Sequence, residues 1–125
     1  MKELVFERTP KTPYVNFNAN TGELRLIGRS IPENPEEFYF PVFAWIDEYY
    51  AQKPSKTQIN LQLEYINSGS SKFILELLQK LATYHKHKLE TTINWYYEED
   101  DEALLELGKH YQTMLDMPIR LIETY

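Results

Sequence analysis

The segment Asn67-Ser68-Gly69-Ser70-Ser71-Lys72 packs three hydroxyls and a lysine between an alternating run and an apolar helical one. Hydroxyls at a strand-to-helix turn have two chemical uses. One is structural: a side-chain oxygen accepts a bond from an orphan backbone N–H and caps the helix. The other is to carry a phosphate, because the first turn of a helix offers unpaired N–H groups and the positive end of the dipole. Lys72 follows Ser68 by one turn, close enough to share the added charge. Phosphorylation adds about −1.5 to −2 charges, and a partner covering the turn would have to desolvate them. At about 1.4 kcal/mol per decade, a penalty of several kcal/mol weakens that partner by at least about a hundredfold. Ser68→Ala, on the capping reading, costs roughly 0.5–2 kcal/mol.

Other reactive groupings are weaker. The four glycines stand at 22, 28, 69 and 108, too scattered for a P-loop or a dinucleotide fingerprint. His85-Lys86-His87 falls at the polar end of a helix with its two rings pointing apart, which is not metal-ligand spacing. The acidic run Glu98 to Glu102 suits the solvated start of a helix better than a cation site. A nucleophilic serine requires an elbow such as G-x-S-x-G with an oriented base, and the serine turn has neither. The expectation is a protein with no catalysis, no cofactor and no metal.

These groups must be held by the elements around them. Ile59, Leu61, Leu63 and Tyr65 alternate with polar residues and define one face of a strand. Leu89, Thr91, Ile93, Trp95 and Tyr97 do the same, opposite Glu90, Thr92 and Asn94 on the wet side. Val15 and Phe17, the turn Asn20-Thr21-Gly22, and Leu24 and Leu26 predict a hairpin. A first helix begins at Asn34-Pro35-Glu36-Glu37 and carries Phe38, Val42, Trp45, Ile46 and Tyr49 inward; Pro41 inside it predicts a kink or a late start. A second follows the serine turn, with Phe73, Ile74, Leu77, Leu78 and Leu81 on one face. A third runs from about Asp101 to Leu115 with Leu104, Leu107, Tyr111 and Met114 inward, and a last strand covers Ile119 to Glu123. Strand, strand, then three helix–strand pairs predict right-handed crossovers and a mostly parallel sheet opened by an antiparallel hairpin. Strands that alternate have one wet face, so the fold class is α/β, a two-layer domain with a mixed sheet and helices packed mainly on one face.

Composition agrees with one domain over residues 1–125. A hydrophobic share of 42% and a charged share of 26% are those of a folding chain. The net charge of −6 disfavours nucleic acid and anionic membrane as partners. With no cysteine, no leader-like N-terminus and no long apolar stretch, a cytoplasmic protein is expected. Ten tyrosines exceed what so small a core is expected to absorb, which predicts a sticky surface.

The stretch Leu61-Gln62-Leu63-Glu64-Tyr65-Ile66-Asn67-Ser68-Gly69-Ser70-Ser71-Lys72 resembles the signature of the SiaC family of bacterial regulatory phosphoproteins. Ile31-Pro32-Glu33-Asn34 is similar to that family's Pro-Glu-Asn entry to the first helix, and Ile93-Asn94-Trp95-Tyr96-Tyr97 to its Asn-Trp-x-Tyr strand. The resemblance spans nearly the whole chain. It implies a STAS-like fold, similar to anti-sigma-factor antagonists, and a cycle of phosphorylation by a Ser/Thr kinase with a histidine-kinase-like ATPase fold and removal by a metal-dependent protein phosphatase. The free form then engages an effector, in the best-known branch a diguanylate cyclase. Carried over by position, the family's acceptor threonine falls on Ser68, its following serine on Gly69 and its motif lysine on Lys72. Ser68 is thereby ranked first as acceptor, with Ser70 and Ser71 as rivals, and the partner is expected to touch Asn67, Gly69 and Lys72. Phe73 is assigned to the core. The alternative is a constitutive binding or scaffolding module whose serine turn only caps a helix.

Overall fold

Val15, Phe17, Leu24, Leu26, Ile59 and Leu61 alternate with polar neighbours, and all are fully buried on one side of a sheet. The computed structural model describes residues 1–125. Its elements are β1 (Leu4–Phe6), β2 (Tyr14–Asn18), β3 (Glu23–Ser30), α1 (Pro35–Ala51), β4 (Thr57–Ile66), α2 (Ser68–Lys86), β5 (Thr91–Glu98), α3 (Glu102–Met114) and β6 (Ile119–Thr124). The strands form one six-stranded sheet in chain order. β1, β2 and β3 pair antiparallel, and β3 through β6 run parallel. Successive right-handed crossovers that step in one direction put every helix on the same face. The other face is left open, as the alternation predicts.

α1 begins at Pro35 and continues through the exposed Pro41 to Ala51, so the expected late start is not used. Its buried side is wider than the predicted stripe and adds Tyr39, Phe43 and Tyr50, while Phe38 is only half-buried. The buried phenols are satisfied. Tyr39 bonds Ser30 at 2.6 Å, Tyr49 bonds Thr57 at 2.7 Å and Tyr50 bonds Thr91 at 2.6 Å. With Tyr111, also buried, they show that much of the tyrosine content belongs to the core, where a phenol is stable only if its hydroxyl finds a partner.

Four expectations are corrected. β1 is an additional edge strand of only three residues, too short for its alternation to register in the sequence. Tyr65 is 62% exposed, because pairing with β3 jumps from Gly28↔Leu63 to Arg29↔Tyr65 and leaves Glu64 as an extra residue. Such a bulge reverses the in–out alternation beyond it. Asn94, placed on the wet face, is buried and donates to Asn60 at 2.8 Å. Met114 is 47% exposed at the end of α3, and the inward position passes to Leu115 and Met117.

Candidate functional site

β4 ends at Ile66 and α2 starts at Ser68, so Asn67 alone makes the turn. Its backbone is extended, with φ −79 and ψ 166. Its N–H donates to Ser30 O at 3.1 Å, its Oδ1 accepts from Ser70 N at 2.8 Å, and its Nδ2 donates to Pro32 O at 3.4 Å. The cap is therefore the amide of Asn67 and not a serine hydroxyl. That assignment corrects the expectation of a capping serine hydroxyl.

Ser68 is exposed, at the first helical position, and its hydroxyl has no protein partner. Ser70 is fully buried with an unpartnered Oγ. Ser71 is half-buried and donates its hydroxyl to Ser68 O at 2.9 Å. Of the rival hydroxyls, only that of Ser68 is both exposed and unengaged. Because Ser70 N is taken by the cap and Ser71 N by Asn67 O at 3.0 Å, the N–H groups of Ser68 and Gly69 are the ones left facing out.

Tyr111 of α3 donates to Ser71 O at 2.9 Å and anchors the first turn of α2. Burial pushes the Tyr111 phenol up, with the charge of Tyr39 acting the same way, so it stays protonated as a donor. A Cβ added at Gly69 would lie 3.4 Å from Pro35 Cγ, so the start of α1 closes against the turn. Lys72 is exposed and in no ion pair. The turn thus brings Ser68, Gly69 and Lys72 to one surface, with Asn67 holding it from below. His85 and His87 lie at the other end of α2, about 25 Å away at 1.5 Å per residue.

The SiaC family regulatory phosphoprotein profile matches residues 6–124. The chain belongs to the SiaC family of regulatory phosphoproteins. The crystal structure of apo-SiaC from Pseudomonas aeruginosa superposes with a TM-score of 0.90 at 25% identity, covering 98% of this chain and 99% of that one. SiaC bound to the diguanylate cyclase SiaD, which it activates in that bacterium, gives a TM-score of 0.91 at 25% identity, over 97% and 99% of the two chains. An uncharacterised protein of Pseudomonas aeruginosa (strain UCBPP-PA14) is 26% identical over 121 residues, 97% of this chain and 96% of that protein. The mixed sheet with helices on one face is thus the SiaC fold. No helix in the chain is long and apolar enough to cross a membrane.

Two features of this SiaC family member were not read from the sequence. Phe40 is 57% exposed on α1; the helical pattern spoke only for the inward residues. On the open sheet face, a surface cavity of about 520 Å³ is lined by Ile27, Gln62, Tyr65 and Tyr96 among others. Only the bulge at Glu64 brings Tyr65 there, and its one local signal is Gly28 on the facing strand, which stands at the register shift with φ +126.

Proposed function

We propose that this chain is a phosphorylation-controlled partner switch with no catalysis of its own, and that Ser68 is the acceptor. The observation that carries the reading is the contrast within the turn: Ser68 is exposed with a free hydroxyl, Ser70 is buried and Ser71 is engaged. A Ser/Thr kinase of the histidine-kinase-like ATPase type would supply the phosphoryl group. Ser68 Oγ attacks the γ-phosphorus of ATP, the bond to the ADP oxygen breaks, and the hydroxyl proton passes to the kinase. A metal-dependent phosphatase returns the serine by hydrolysis. The outward N–H groups of Ser68 and Gly69, and Lys72, favour the phosphorylated form locally. The same phosphate opposes any partner that must cover the turn through Gly69 and Lys72. The effector is a diguanylate cyclase, by analogy with the SiaC–SiaD complex, and the setting is the cytoplasm.

Intact-mass spectrometry with site mapping, on protein from its own cells with and without phosphatase treatment, tests this directly. The expected result is one phosphate, on Ser68. A phosphate on Ser71 would keep the switch and move the site; none under any growth condition would leave a constitutive binding module.

A further inference from the structure

Phe40 stands at the tip of a ladder of rings, 6.1 Å from Phe73 and 6.4 Å from Phe43, with Phe73 stacked on Tyr39 at 5.7 Å and on Phe43 at 6.2 Å. Phe73 is itself only half-buried. It follows Gly69 by four residues, so the two are neighbours on one face of α2, and Pro35 at the start of α1 closes against Gly69. An apolar ridge therefore runs from the serine turn across to Phe40.

A single exposed aromatic is ordinary on a protein surface. Its charged surroundings are what distinguish this one. α1 carries no basic residue. Glu36 and Glu37 lie one turn before Phe40, and Glu76 lies just beyond Phe73 on α2; all are exposed and in no ion pair. First-turn acids complement the helix dipole, yet Glu36 and Glu37 have no partner beside the exposed ring, whereas Glu76 stands four residues from both Lys72 and Lys80 on α2, the spacing of helix-surface charge pairs; Lys80 also lies 5.7 Å over the Phe43 ring. The open sheet face differs: its Glu64 is already held by Arg8 at 2.8 Å and Arg29 at 3.5 Å.

We propose that the Phe40–Phe73 ridge is a docking surface for a partner protein that lays an apolar side chain on these rings and brings Lys or Arg to Glu36 and Glu37. Aromatic anchors carry most of the energy of such contacts, and rim charges steer and select. The surface itself stands on the geometry of α1 and α2. Its control rests on the switch reading: a phosphate on Ser68 lies at one end of the ridge, where a seated partner would have to desolvate it.

Site-specific photocrosslinking in the protein's own cells tests the ridge, using the full chain with p-benzoylphenylalanine in place of Phe40, and separately in place of Tyr96 on the open sheet. The expected result is a crosslink from position 40 to a partner peptide in which an apolar residue is flanked by Lys or Arg. Adding Glu36→Lys and Glu37→Lys lowers its yield by at least about tenfold, as lost rim complementarity should. Crosslinking from position 96 alone, to a peptide without basic residues, only to a second copy of this chain, or from neither position overturns the proposal. Ser68→Asp separates the two readings. If it leaves a charge-sensitive crosslink at 40 unchanged, the dock stands and the switch fails; if it abolishes a crosslink seen only at 96, the switch stands and the dock fails.

Discussion

At the scale of single residues, the turn divides its labour between adjacent side chains. Asn67 makes the cap and the ties to Ser30 and Pro32, whereas Ser68 contributes no side-chain bond to the fold. Asn67→Ala is expected to destabilise the protein by about 1 kcal/mol or somewhat more, the cost of a lost cap. Ser68→Ala should stay within about 0.5 kcal/mol, as for an exposed side chain without partners. Urea denaturation of both variants checks the division, and equal losses would return the cap to the serine. The sequence identified this segment but not its internal roles. Asn and Ser both cap helices, and the helix begins one residue earlier if Asn67 rather than Ser68 is the cap. A shift of one residue decides which hydroxyl is free, and it is smaller than any periodicity argument resolves.

At the scale of elements, the alternating strands and the α2 stripe were legible because each has a dry side and a wet one, which imposes its period on the residue types. Where that contrast fails, the reading failed with it. The end of β4 slips past β3 at Glu64, and α1 is apolar over so much of its circumference that its inner face cannot be told from composition. α3 was legible through Leu104 and Tyr111, yet its closest approach to the sheet is at a residue with no side chain. A Cβ at Gly108 would lie 2.7 Å from Trp95 Cδ1 and 2.8 Å from Leu121 Cδ2. Trp95 cannot swing aside without losing its bond from Nε1 to Leu104 O at 3.0 Å and its edge contact with Tyr111. Gly108→Ala therefore trades a gain in helix propensity of about 1 kcal/mol against overpacking of about 1–3 kcal/mol. The expected outcome is a net loss of stability in urea denaturation. Because Tyr111 also holds Ser71 O, faster amide exchange should follow in the first turn of α2.

At the scale of the whole molecule, the helix layer is fastened to the sheet by buried phenols, and this has a consequence at high pH. Burial pushes Tyr39 and Tyr50 up to about 12, partly offset by their bonds to Ser30 and to Thr91 and Thr57. Tyr84, stacked on Tyr50 at 4.2 Å, is pushed up to about 12 by burial together with its bond to Asp47. In the unfolded chain a tyrosine ionises near about 10. Below that value both states keep their protons and these groups contribute nothing to the pH dependence. Between about 10 and 12 the unfolded chain releases phenolic protons that the folded chain retains, so stability falls as pH rises through this window. The midpoint of urea unfolding should thus decline steeply above pH 10. Phenolate absorbance in native buffer should resolve a late set of tyrosines, Tyr39, Tyr50 and Tyr84 among them, that titrates only as the fold is lost. A single titration of all ten tyrosines near pH 10, with the fold intact, would mean that the phenols do not fasten the layers. Tyr39 is where the layers and the ridge meet, since it bonds Ser30 beneath the turn and stacks on Phe73 above it. Loosening the helix layer would therefore reach the Phe40–Phe73 ridge.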